Sequence, residues 1–142
     1  MRFSEALARG VLVGDGANGT RLAALGYTRQ PYDLANLDAP DLVVQVHREY
    51  FDAGADFVET NTFGANPVKL ARFGLAEKCT AINTEAVAIA RRTVGQSNVL
   101  IAGAVGPLGL NNPLSSPEQV AQMKDAFAAQ LGALAAAEVD FF

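Results

Sequence analysis

Four short apolar segments recur about every 40 residues, at Val11–Gly14, Asp56–Thr60, Asn98–Ala102 and Val139–Phe142. Each of the first three leads into a stretch with helical periodicity, and this βα alternation is the pattern of a parallel sheet with helices packed on it. Residues 2–9 read as a short helix closing the bottom of a sheet or barrel. Thr20–Leu25 reads as one or two helical turns stopped by Gly26, and Tyr27–Leu37, which has no period and contains Pro31, reads as loop. Asp38 is placed to cap a helix with Pro40 in its first turn, burying Leu42, Val43, Val46, Tyr50 and Phe51 and ending at Ala53-Gly54-Ala55. A short helix spans Pro67–Phe73 before Gly74. A longer one spans Glu77–Val94, with Ile82, Ala86, Ile89 and Ala90 inward. Ser116-Pro-Glu-Gln119 forms a capping box that opens a helix to about Ala137, with Val120, Met123, Phe127, Leu131 and Leu134 as its buried face.

Four βα units in 142 residues amount to half of a (β/α)8 barrel, which needs about 250 residues. The last segment is an apolar strand start with neither turn nor polar tail. The expectation is therefore the amino-terminal half of a longer α/β barrel, truncated in strand four. A complete four-stranded open sheet is the alternative.

Composition narrows the function classes. Half of the chain is apolar, the net charge is −4, and no basic run occurs, which disfavours a nucleic-acid surface. No apolar run approaches the roughly 18 residues of a membrane span, and the amino terminus lacks the apolar core of a signal peptide. The single cysteine, Cys79, excludes an internal disulfide and fits a reducing, cytoplasmic setting.

Three chemistries compete for the strand ends. Gly14-x-Gly16-x-x-Gly19 after a strand matches the dinucleotide fingerprint, but the fingerprint wants an acidic residue about 20 positions later at the end of the second strand, and the next strand ends far too late, at Glu59-Thr60; Asp15 inside the turn would also repel a pyrophosphate. A metal or nucleophile centre would rest on His47 and Cys79. His47 lies mid-helix beside Arg48 and Glu49, suited to a surface or packing role, and Cys79, near the start of a helix, has no obvious basic or metal-ligand partner; together they fall short of the three or four ligands of a zinc site. The third is a small polar ligand held by Asp15, Glu59, Thr60, Asn61 and Thr62 with the Gly103–Gly109 loop. The carboxylates suit an ammonium group, and the hydroxyls, Asn61 and glycine amides suit a carboxylate, so the set suits an amino acid. Against it stands the reading in which Thr60–Thr62 only bonds its own loop backbone. An aldolase-like or phosphate-binding barrel would want a lysine, and Lys69, Lys78 and Lys124 all read as helical and solvent-facing.

Gly14-Asp-Gly-Ala-Asn-Gly-Thr20, His47-x-x-Tyr50, Ala53-Gly-Ala-Asp56, Glu59-Thr-Asn-Thr-Phe-Gly-Ala-Asn66 and Ala102-Gly-Ala-Val-Gly-Pro107 together resemble the homocysteine S-methyltransferase family over nearly the whole chain. That family includes the homocysteine module of cobalamin-dependent methionine synthase, betaine–homocysteine methyltransferase, and bifunctional proteins fused to a methylenetetrahydrofolate reductase. The resemblance implies a (β/α)8 barrel that binds homocysteine and zinc and transfers a methyl group from a donor to the homocysteine thiol, giving methionine. It implies a homocysteine pocket containing Asp15 and Gly16 and lined by Thr60, Asn61 and Thr62. The family's zinc cysteines lie on later strands, and none matches a position here. Cobalamin or folate would act through other domains, and a carboxy-terminal half or a fused reductase domain would be the protein partner. Asn18 departs from the family's bulkier apolar residue, often methionine. An inactive fragment or a non-catalytic small-molecule-binding half-barrel is the competing class.

Overall fold

The computed structural model describes residues 3–110 and 116–142. It is a mixed α/β structure. Strands β1 (Phe57–Glu59) and β2 (Leu100–Ala102) pair in parallel, with Val58 opposite Ile101. Helices α1 (Phe3–Leu7), α2 (Asn18–Ala24), α3 (Ala35–Asp38) and α4 (Pro40–Asp52) precede β1. Helices α5 (Pro67–Ala71) and α6 (Cys79–Val94) lie between the strands, and α7 (Pro117–Ala136) follows β2.

The first and fourth expected strands are reduced to single parallel bridges, Gly14 with Phe57 and Ala102 with Phe141. The two bridges share a cause. The Asp56 carboxylate accepts from the Val13 N–H at 2.8 Å, and the Asp140 carboxylate accepts from the Ile101 N–H at 2.7 Å. In each case a side chain stands where a ladder would use a backbone carbonyl. The expected burial of the first segment fails as well, since Val11 is 91% and Val13 59% exposed. The four segments still lie side by side in sequence order, all parallel.

Alternation along β1 sorts its side chains. Val58 is buried among Ala90, Val94 and Ile101, beneath α6, while Phe57 and Glu59 face the other way. On that second face Phe57 meets Phe141 edge-on at 5.3 Å, and Phe3 of α1 stacks on Phe141 at 4.1 Å. The amino-terminal helix thus closes the lower end of the strands, as expected from its sequence; residue 2 lies outside the described residues.

Other boundaries follow local chemistry. Gly26, Gly54, Gly74 and Gly95 all have positive φ just after helices, as helix-terminating glycines do. Asn66 caps α5 by accepting from the Lys69 N–H at 2.9 Å, and Ser116 caps α7 through Gln119. Asp38 is not a cap. It ends α3, Ala39 precedes α4, and the Asp38 carboxylate instead accepts from the Tyr27 hydroxyl and pairs with Arg29. The stretch 27–37 expected to be loop contains a 3-10 turn at Tyr32–Leu34 and α3, entered through a cis Gln30–Pro31 peptide. On α7 the buried residues are Ala126, Gln130, Ala133 and Leu134; Val120, Met123, Phe127 and Leu131 are only partly covered. Among the described residues no helix is long and apolar enough to cross a membrane.

Candidate functional site

A cleft of about 510 Å³ opens at the carboxy-terminal end of β1. It is lined by the 15–20 turn, Tyr32, the 59–63 segment and Ala104. All five residues expected to bind ligand, Asp15, Gly16, Thr60, Asn61 and Thr62, border this one space. Among the described residues, the only charged ones in its wall are Asp15 and Glu59.

Asp15 is held by the backbone. Its own N–H donates to the Phe57 carbonyl, and its carboxylate accepts from the Glu59 N–H at 3.0 Å. Burial pushes its carboxyl up to about 7; the negative charge of Glu59 adds to the rise and the backbone hydrogen bonds oppose it. Near neutrality Asp15 is therefore poised between its acid and its carboxylate.

The turn glycines answer to packing. None of Gly14, Gly16 and Gly19 has positive φ. A Cβ on Gly14 would stand 2.5 Å from the tip of the Phe57 ring, one on Gly16 2.8 Å from the Tyr50 hydroxyl, and one on Gly19 2.9 Å from Tyr32. Three aromatic rings thus crowd the turn against β1. Asn18 fastens it further, donating from Nδ2 to the Glu59 carbonyl at 3.1 Å.

Both buried threonines, expected as ligand-binding residues, work internally. Thr62 donates its hydroxyl proton to the Ala104 carbonyl at 2.8 Å, so in the 2.6 Å contact between the two hydroxyls Thr60 must be the donor. Thr60 Oγ1 in turn accepts from the Ala104 N–H at 3.1 Å. Neither hydroxyl has a proton left for a ligand, and the pair instead fixes the loop after β1 to the loop after β2. The Asn61 side chain likewise turns inward, its Nδ2 donating to the Tyr32 carbonyl, while the Asn61 backbone carbonyl accepts from Asn36 Nδ2, each at 2.8 Å. Asp33 completes this latch by accepting from the Gly64 N–H at 2.8 Å. Burial raises the Asp33 carboxyl above the usual carboxylate range.

The carbonyls of residues 59–65 all accept hydrogen bonds within the protein. Several N–H groups of cleft-lining residues have no acceptor among the described residues: those of Asn61 and Phe63, and those of residues 16–20 in the turn and the first turn of α2.

Asp33, Asn36 and Gln130 were missed in the sequence. His47 and Cys79 are structural. His47 is wholly buried in α4, both ring nitrogens lack partners among the described residues, and burial lowers its pKa to about 4. Cys79 is buried with its thiol on the Ala65 carbonyl. Lys69, expected to face solvent, is partly covered, with its ammonium 5.2 Å from the centre of the Phe63 ring. Among the described residues no three His, Cys, Asp or Glu side chains come together to hold a metal ion.

The chain is similar to methionine synthase of Mycobacterium tuberculosis, 35% identical over 92% of this chain, and to that of Mycobacterium leprae, 34% identical over 87%. It spans only 12% and 11% of those two proteins. Among solved structures it resembles the metallated form of the homocysteine methyltransferase MmuM from Escherichia coli, with a TM-score of 0.79 and 25% identity, over 95% of this chain and 54% of that one. The apo form of MmuM superposes with a TM-score of 0.67. The sequence profile of the homocysteine S-methyltransferase family matches residues 12–142, and the chain belongs to that family.

Proposed function

We propose that this chain supplies the homocysteine-binding part of an enzyme that methylates the homocysteine thiol to give methionine, on a (β/α)8 barrel of which residues 1–142 carry the first four βα units. One observation carries the reading: a cleft at the strand ends joins a carboxylate poised near neutrality to unpartnered backbone N–H groups, those of Asn61 and Phe63 among them, the complement of an amino acid's two charged ends. Asp15 receives the ammonium group, with Glu59 adding negative potential. The Asn61 and Phe63 N–H groups receive the carboxylate. Thr60, Thr62 and the Asn61 side chain hold those groups in place, and Gly16 lets the turn sit against Tyr50. The homocysteine side chain is then left to reach outward to its reaction partner.

In the transfer, the homocysteine sulfur forms a bond to the donor's methyl carbon as the methyl–donor bond breaks, and the thiol proton is lost. The family's zinc would favour loss of that proton. The residues of this chain do not fit a zinc site, because Cys79 and His47 are buried in separate parts of the core and no further ligands accompany them. The zinc cysteines would stand on later strands of the intact protein, and cobalamin or folate would be presented by other domains. A cytoplasmic setting suits the lone reduced thiol.

Calorimetric titration of the intact protein with homocysteine tests the reading. Asp15→Ala should weaken homocysteine binding at least about tenfold, the scale of a lost charge-assisted hydrogen bond, with zinc content unchanged. Unchanged affinity would remove Asp15 from the site.

A further inference from the structure

Helix α7 points one fully buried polar side chain, Gln130, at the loops below the cleft. Its Nε2 donates to the Thr62 carbonyl at 2.6 Å and lies 3.5 Å from the Ala104 carbonyl. Two carbonyl partners fix which end of the amide is nitrogen. The opposite atom, Oε1, is buried with no hydrogen-bond partner among the described residues. A buried acceptor without a donor is destabilising, so helix packing by itself does not account for a glutamine at this position.

The Thr62 carbonyl and the Phe63 N–H belong to one peptide unit. That unit is trans, and in a planar trans peptide the C=O and N–H point in opposite directions. Together with the Ala65 N–H, which also donates to the Thr62 carbonyl at 3.0 Å, Gln130 holds that carbonyl on the α7 side and turns the Phe63 N–H the other way, away from α7. Thr62 and Phe63 both line the cleft, and the Phe63 N–H is one of its unpartnered donors. The Ala104 carbonyl within reach of Gln130 also accepts from the Thr62 hydroxyl, so the same amide sits at the closure of the Thr60–Thr62–Ala104 circuit.

We propose that Gln130 is a positioning residue for the ligand's carboxylate: by holding the Thr62 carbonyl it aims the Phe63 N–H into the cleft. The proposal rests on the reading of the cleft as an amino-acid site. It assigns to α7 a part in substrate selection, acting through one peptide plane.

The test compares two ligands in the intact protein: homocysteine, and its decarboxylated analogue, an aminopropanethiol with the same amine and thiol. Gln130→Met keeps the side chain's length and removes the donor. It should weaken homocysteine binding about tenfold, the scale of one lost hydrogen bond to a charged group, and leave binding of the aminopropanethiol unchanged. Equal losses for both ligands, or no loss for either, would overturn the assignment. Gln130→Glu supplies an independent arm. A protonated glutamic acid can donate to the Thr62 carbonyl and an ionised one cannot, so its homocysteine affinity, taken relative to wild type, should recover as pH falls. A ratio that stays flat with pH overturns the proposal. Wild-type protein that binds neither ligand would instead remove the amino-acid reading, and this proposal with it.

Discussion

Asp15 sets the pH behaviour of the site. With its carboxyl near 7, only a minor fraction is ionised at pH 6 and most at pH 8. Homocysteine keeps its ammonium charge across that range, so affinity should rise about tenfold between those two values, and Asp15→Asn should flatten the profile in a titration series. The same shift bears on stability. A carboxyl raised in the folded state stabilises it in acid and loses that contribution as pH rises from 3.8 through about 7. His47 has the opposite effect. Its folded value of about 4 lies below the ordinary 6.5, so the unfolded chain binds the extra proton, and stability is lost as pH falls through that window. By pH 4 the loss reaches about 3 kcal/mol, and His47→Leu should remove it from the acid limb of a denaturation series. Asp15 was legible in the sequence because a carboxylate between two glycines at a strand end has few other uses. Thr60 and Thr62 were legible as polar residues at the site but not as donors already engaged, since that depends on Ala104, more than 40 residues away. His47 looked as suited to the surface as to the core because its charged sequence neighbours hid the buried face of α4.

At the scale of elements, the loops are held by contacts that tolerate little change. A Cβ on Gly106 would press into the Phe63 carbonyl, which the Gly106 N–H binds at 3.0 Å. That contact involves backbone on both sides, so neither partner can swing aside. Gly106→Ala should lower stability by about 1–3 kcal/mol in chemical denaturation. Asn66→Ala removes the cap of α5 and should cost about 1–2 kcal/mol. The periodicity of α6 gave its buried face correctly, because large apolar residues mark it. That of α7 was right only at Leu134: the rest of its packed face is built from Ala126, Ala133 and Gln130, small or polar side chains that no hydrophobic pattern selects. Asp33 and Asn36 escaped notice for a related reason, lying in a stretch without period whose order comes from bonds to the 61–64 segment. Gln130 works over 68 residues of sequence separation and leaves no local mark.

At the scale of the whole molecule, the βα order was legible from spacing alone, and the four parallel segments stand in the sequence order that a barrel requires. Strand lengths were not legible, because Asp56 and Asp140 place carboxylates where ladder carbonyls were expected. The strands bring their loops to one end, and the cleft that results opposes a carboxyl near its midpoint to donors set by distant elements. The most direct test of this arrangement is a carbon-13 NMR titration of the Asp15 carboxyl in the intact protein, with and without homocysteine. The account predicts a midpoint near 7 in the free protein that falls well below it when the ammonium group is bound. An Asp15 titration unmoved by saturating homocysteine would contradict it.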